Sequence, residues 1–273
     1  PQAVNAATVH SYSERGAGHY EDPMNKNFLY GDITVRFLKT VRFEAADSTI
    51  LDIGCGTGFV FDELFDQFAD GRRRGIGVEP ATGMLYIAKA KYSGHAQFDF
   101  HQGSFEEIPL ETGSVDRIVS TLALHWVKSL EAAAAEMRRV LRHGGGMDLF
   151  MIAKDDGARF KRAIVAALRK HLSFSQIMTT AALVQRATPK DIIAAFAPFH
   201  DDFEIEPVQH RGIVYGSFDD HMKWWTARSA PVIAEVEDKD RFMLDLREEL
   251  EKTGTEEGIP FDSAYLWITV RGK

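Results

Sequence analysis

Ile50-Leu51-Asp52-Ile53-Gly54-Cys55-Gly56-Thr57-Gly58 decides how this chain folds. An apolar run ends in Asp-x-Gly-x-Gly-x-Gly and opens into 59–69, where Phe61, Leu64, Phe65 and Phe68 recur on one helical face. The pattern predicts a buried strand that turns through glycines into a helix. Glycine suits such a loop because a ligand can approach its backbone closely and some positions demand φ > 0. The start of the helix offers unpaired N–H groups to a polar ligand group. Gly75-Ile76-Gly77-Val78-Glu79 then reads as a second strand ending in an acid, 21 residues after Gly58. At the tip of the second strand of a βαβ unit, a carboxylate can accept both hydroxyls of a ribose.

The glycine spacing says which nucleoside to expect. The dinucleotide fingerprint G-x-G-x-x-G needs a glycine where Phe59 or Phe61 stands, depending on register, so a nicotinamide cofactor is disfavoured. The segment instead resembles the motif of class I S-adenosylmethionine-dependent methyltransferases, of the trans-aconitate methyltransferase-like type. Phe98–Phe105 reads as a third strand leaving into a turn, and Ser114–Ser120 as a fourth that runs into Thr121-Leu122-Ala123-Leu124-His125-Trp126. Leu130–Leu141 reads as a helix stopped by Gly144-Gly145-Gly146, and Gly146–Ala153 as a fifth strand. Alternation of this kind makes a parallel sheet. The resemblance spans about residues 46–153, just over a third of the chain.

The resemblance implies S-adenosyl-L-methionine as cofactor. It places Asp52, Gly54, Cys55, Gly56 and Gly58 around the methionine portion and Glu79 at the ribose. Pro80, Met84, Gly103, Ser104, Phe105, Thr121 and Leu122 complete the implied cofactor contacts. Ser104 is a departure: many members carry Asp there against the adenine amino group, and a hydroxyl accepts that bond less strongly.

Composition narrows the rest. A chain of 273 residues, 45% hydrophobic, can bury a full core. A net charge of −8 argues against nucleic acid or an anionic membrane as main partner, because both need a basic footprint. Arg72-Arg73-Arg74 reads as a solvated turn. Cys55 is the single cysteine, which excludes an intrachain disulfide and fits a cytoplasmic setting. No apolar run reaches transmembrane length, and 1–5 open no signal-peptide pattern. The histidines show no ligand spacing, so no metal is expected.

Outside the core, residues 1–48 read as an N-terminal helical segment, with Ile33, Val35, Phe37, Leu38 and Val41 marking a helix before the 49–153 core. Residues 154–253 read as lid helices with a sixth strand over Phe203–Tyr215. Asp155/Asp156 are expected to cap a helix carrying Phe160, Ile164, Leu168 and Leu172; Thr188-Pro189 and Ser217-Phe218 start further helices, and a last one is expected over Val232–Lys252. Residues 260–273 hold the final strand. That order matches a Rossmann-like α/β fold: a seven-stranded, mostly parallel sheet with helices on both faces, its last strand antiparallel, under a helical lid.

His125 is the candidate catalytic residue, since it follows the fourth strand at the edge where acceptor and methyl group should meet. Leu122-Ala123-Leu124-His125-Trp126 resembles the same region of trans-aconitate methyltransferase and of the malonyl-carrier-protein methyl ester synthase of biotin formation. In those the acceptor is a carboxylate and needs no base. His125 is therefore read as a general base, as a substrate-carboxylate ligand, or as a structural residue. Tyr12, Tyr20, Trp126, Trp224 and Trp225 are candidate acceptor contacts, with ordinary packing the competing reading for Tyr12, Tyr20, Trp224 and Trp225. Small-molecule methylation by a monomer or homodimer is the leading expectation. Methylation of a carrier-bound acid is the alternative, for which Arg159, Lys161, Arg162, Arg169 and Lys170 would be the docking face. A non-catalytic nucleotide-binding domain is the alternative of another class.

Overall fold

In the computed structural model, residues 30–181 and 186–273 are described. Tyr12 and Tyr20 lie outside these residues. Helix α1 is Gly31–Leu38, and Ile33, Phe37 and Leu38 are buried on it. Strand β1 is Thr49–Ile53, followed by helix α2 at Phe59–Glu63. The single helix expected over 59–69 is in fact α2 plus a 3-10 turn at Phe65–Phe68. The 3-10 turn still delivers Phe68 to the core, 5.6 Å between ring centroids from Phe61 and 5.1 Å from Phe98.

Strand β2 is Arg74–Glu79, helix α3 Thr82–Lys91, strand β3 Phe98–Gln102, and strand β4 Val115–Thr121. Helix α4 is Leu130–Val140, capped by Ser129, whose side chain accepts from the Ala132 N–H. Strand β5 is Leu141–Ile152. The glycine triplet therefore does not stop the helix: it lies within the strand, which begins directly at Leu141 paired with Val115. A register shift between Val115 and Arg117 absorbs the extra residues.

Helix α5 is Ala158–Leu168, α6 Phe174–Ala181, α7 Pro189–Phe196, β6 Phe203–Gly216, α8 Phe218–Arg228, α9 Ala230–Ala234, α10 Lys239–Glu251 and β7 Ile259–Gly272. Capping boxes at Thr188/Asp191 and Ser217/Asp220 start α7 and α8 as expected. Two expectations are corrected. Asp156 does not cap α5; Gly157 is its N-cap at φ +61, and Asp156 Oδ1 instead accepts from the Ala264 N–H at 2.9 Å. The helix expected over 232–252 is broken into α9 and α10, because the Asp238 side chain caps a new start by accepting from the Arg241 N–H.

The sheet order is β3-β2-β1-β4-β5-β7-β6. Strands β1 to β5 pair in parallel, and β7 joins β5 antiparallel through Gly146↔Arg271 to Ile152↔Tyr265. Phe61, Phe68, Tyr92, Phe98 and Phe100 form one aromatic cluster of the core, and Phe37, Phe150 and Tyr265 a second. The chain divides into two compact units. One takes Gln2–Ala153, Gln185–His210 and Tyr265–Lys273 and holds the parallel strands; the other takes Lys154–Val184 and Arg211–Ala264. Residues 185–210, inside the segment expected as lid, thus go with the sheet. Among the described residues no helix is long and apolar enough to cross a membrane, and no group of three His, Cys, Asp or Glu could hold a metal ion.

Candidate functional site

Strand order reverses between β1 and β4, because β2 and β3 lie to one side and β5 to the other. Open α/β sheets bind ligands at the carboxyl ends of the strands flanking such a point. The loops after β1 and β4 are in close contact there. A Cβ added to Gly54, at φ +71, would collide with the Ala123 Cβ and come within 3.7 Å of the Phe105 ring. Only glycine satisfies both the backbone angle and the packing. Gly56 differs. At φ +54 its missing Cβ would make ordinary contact with the Met84 Sδ at 3.5 Å among the described residues, so glycine is required there by the backbone angle and not by packing.

The loop is braced from several sides. The Gly54 and Cys55 N–H groups donate to the Val78 carbonyl at 2.8 and 3.2 Å. The Ser120 hydroxyl donates to the Ile53 carbonyl at 2.6 Å, tying β4 to the end of β1. Tyr92 backs Gly58: its ring would lie 2.8 Å from a Cβ there, and its hydroxyl donates to Asp62 Oδ1 at 2.6 Å. Burial, with the Asp62 hydrogen bond, pushes the Tyr92 hydroxyl pKa upward, so it stays a donor.

Two carboxylates meet this loop in different states. Glu79 Oε2 accepts from the Gly56 N–H at 2.9 Å and Oε1 from the Ala81 N–H at 2.8 Å. Burial raises its pKa, and the two backbone donors pull it back down. Each oxygen keeps a lone pair for a hydroxyl donor. Asp52 is fully buried on β1, and neither of its oxygens has a hydrogen-bond partner. Burial first, and the Glu79 charge second, hold its pKa well above the usual carboxylate range. An orphaned buried carboxylate is costly and marks where a cationic ligand group fits. Burial likewise pushes the Cys55 thiol up, which disfavours the thiolate.

The other expected cofactor residues fall around the same loops. Pro80 and Met84 follow β2, and Gly103 donates its N–H to the Glu79 carbonyl at 3.4 Å. Ser104 is half-buried and bridges to Glu107 through the backbone, with Phe105 buried behind it. Thr121 ends β4. Leu122 holds φ +55, the one non-glycine residue with positive φ among those described, while its N–H donates to the Phe150 carbonyl at 2.8 Å. Such strain in a large apolar residue clusters at functional sites. His125 follows on a 3-10 turn, Leu124–Trp126, buried at 3% exposure, with the half-buried Trp126 ring 5.2 Å away.

Trp224 and Trp225 belong to the second unit. Trp225 is buried 6.3 Å from the Phe242 ring; Trp224 packs 5.4 Å from Phe160 and 5.3 Å from Phe261. Two of the five basic residues expected on this face are paired inside this unit: Arg159 on α5 with Asp262, and Lys170, just after α5, with Asp245 and Glu249. The arginine run before β2 is not wholly a solvated turn either, since Arg73 donates to the carbonyls of Glu44, Asp47 and Gln67.

Residues 51–147 match the family model for a methyltransferase domain. The malonyl-[acyl-carrier protein] O-methyltransferase of Serratia marcescens is 32% identical over 142 residues, 52% of this chain and 51% of its own length. The chain spans about half the length, or less, of the curated relatives it matches. Among solved structures, the YcgJ protein of Bacillus subtilis superimposes with a TM-score of 0.58 at 18% identity, covering 88% of this chain and 98% of that one. An S-adenosylmethionine-dependent methyltransferase of Thermotoga maritima, described as a possible histamine N-methyltransferase, gives 0.55 at 17%, covering 96% and 99%. The structural likenesses bear on the fold, and the family match, confined to residues 51–147, bears on the strands and loop that carry Asp52 and its glycines.

Proposed function

We propose that this chain transfers a methyl group from S-adenosylmethionine to a small-molecule acceptor, at an oxygen, carbon or nitrogen, carboxylic acids included. The observation that carries the reading is Asp52, a fully buried and unpartnered carboxylate at the head of the glycine loop where the strand order reverses. On this reading Asp52 takes the ammonium of the methionine portion, the glycine loop Gly54–Gly58 lies along it, and the spare lone pairs of Glu79 take the ribose hydroxyls. The cofactor supplies a methyl group already activated on a sulfonium. The chain's task is to align that group with the acceptor and exclude water.

His125 is proposed as the general base that takes the acceptor's proton, or as the ligand of an acceptor that is already anionic. Trp126, Tyr12, Tyr20, Trp224 and Trp225 are proposed to contact the acceptor. The enzyme would be cytoplasmic and work as a monomer or homodimer, with neither a metal nor a nucleic-acid partner.

A second reading, methylation of a carrier-bound acid, is favoured by the activity named for the Serratia relative. The internal pairing of Arg159 and Lys170 weighs against it, because those charges are already used.

Calorimetry tests the first reading. S-adenosylmethionine and S-adenosylhomocysteine should both bind, and NAD should not. Tight NAD binding with no heat from S-adenosylhomocysteine would reject it. A panel of small acids, phenols and amines, with a carrier-bound acid alongside, then decides the acceptor class.

A further inference from the structure

Asp52 holds its place rigidly. Its backbone sits in the β1 ladder between Gly77 of β2 and Val119 of β4, and its side chain is fully buried. The titratable groups that couple to it are Glu79 at the end of β2, Cys55 in the loop, and Tyr92 after α3. All three are acids, and among the described residues no cationic side chain offsets the carboxylate. Glu79 receives two backbone N–H donors and Asp52 receives none. Of two neighbouring buried carboxyls, the unsolvated one keeps the proton. An isolated buried charge neutralises before it is tolerated.

Resting on the methyltransferase reading, we propose that Asp52 is the proton-exchanging group of this site: a ligand's ammonium takes its carboxylate as counter-ion, and one proton leaves the protein as the ligand binds. The balance is simple. A carboxylic acid and an ammonium ion give a carboxylate–ammonium pair and a free proton, so charge is conserved and only the Asp52 O–H bond is broken. If the amine first takes the Asp52 proton after losing its own to solvent, the net release is the same. Asp52 then selects for a ligand by its positive charge, and affinity for it climbs as pH rises.

The test is calorimetry of S-adenosylhomocysteine at pH 7 in phosphate and in Tris, whose ionisation enthalpies differ widely. The heats should differ by an amount equal to about one proton released per site, and Kd should tighten by up to about tenfold per pH unit while Asp52 is protonated in the free protein. Methylthioadenosine, which keeps the nucleoside and lacks the amino group, should bind with no buffer dependence. Asp52→Asn, shown folded by its melting curve, should lose the proton release. Binding of S-adenosylhomocysteine with equal heats in both buffers overturns the inference and leaves the methyltransferase reading standing. Proton release that persists in Asp52→Asn, or that appears equally with methylthioadenosine, also overturns it. Absence of any S-adenosylhomocysteine binding takes down the methyltransferase reading and this inference together. Should Asp52→Asn fail to bind, the wild-type comparison of the two ligands still decides.

Discussion

At Asp52, burying an unpartnered carboxyl works against the stability of the free protein. Its pKa in the folded state lies above the unfolded value of about 3.9, so the folded protein holds a proton that the unfolded chain releases. The sign follows. The contribution to stability is complete below the unfolded value and is lost as pH rises through the folded one. Asp52→Asn has no such titration. Urea unfolding should therefore show the variant gaining on the wild type as pH rises above the unfolded value; parallel curves would mean Asp52 is ionised in the fold. Glu79 shifts in the same direction and is present in both proteins, so only the part of its titration that is coupled to Asp52 enters the comparison. His125 carries the catalytic prediction. His125→Ala should lower kcat by about 10²–10⁴-fold, remove the acid limb of the rate profile, and leave S-adenosylhomocysteine affinity unchanged. A loss confined to KM would assign it to acceptor binding instead, and wild-type values for both would remove it from the site. Asp52, Glu79 and the glycines were legible from the sequence because their spacing fixes where a loop leaves a strand. The positive φ of Leu122 was not, since nothing in an apolar pattern reports a backbone angle.

Among the elements, α3 shows why hydrophobic pattern alone can miss a helix. The sequence marks no element between β2 and β3, yet Thr82–Lys91 is helical. It buries Met84, Leu85 and Ala88 while Tyr86 on the same turn is 75% exposed, so the apolar stripe is blurred. The element matters to the site because Met84 faces Gly56 and Tyr92, its C-cap, backs Gly58. Tyr92→Phe keeps the ring and loses the bond to Asp62. It should cost about 0.5–1.5 kcal/mol in chemical denaturation, while Tyr92→Ala should in addition weaken S-adenosylhomocysteine binding by freeing the loop. Equal affinity in Tyr92→Ala would show that the loop holds its shape without that support. The misplaced boundaries have comparable causes. Gly144-Gly145-Gly146 has the composition of a helix stop, but pairing of Leu141 with Val115 draws the strand back to the helix end. The segment Val232–Lys252 read as one helix on its apolar pattern, but the Asp238 side chain caps a new start within it, and local capping won over periodicity.

For the whole molecule, the chain order separates two tasks. Every residue expected at the cofactor, from Asp52 to Leu122, lies in the sheet unit, whereas Trp224 and Trp225 lie in the other unit. The placement of the glycine loop and of Glu79 at the tip of β2 was legible because both follow from a short stretch of sequence. The second task was not, because acceptor specificity depends on side chains far apart in sequence whose convergence no spacing encodes. If the units divide cofactor and acceptor binding as proposed, ligands should protect them in sequence. Amide hydrogen exchange with S-adenosylhomocysteine alone should slow residues 52–58, 79–84, 103–105 and 121–125, since binding energy is felt where backbone groups are held. Residues 156–181 and 217–253 should respond only when an acceptor identified by the panel is added, as expected of segments that order around substrate. Protection of those helices by S-adenosylhomocysteine alone would make them part of the cofactor site. Indifference to both ligands would make them a structural layer, and would return the acceptor contacts to Trp126 and the residues around β4.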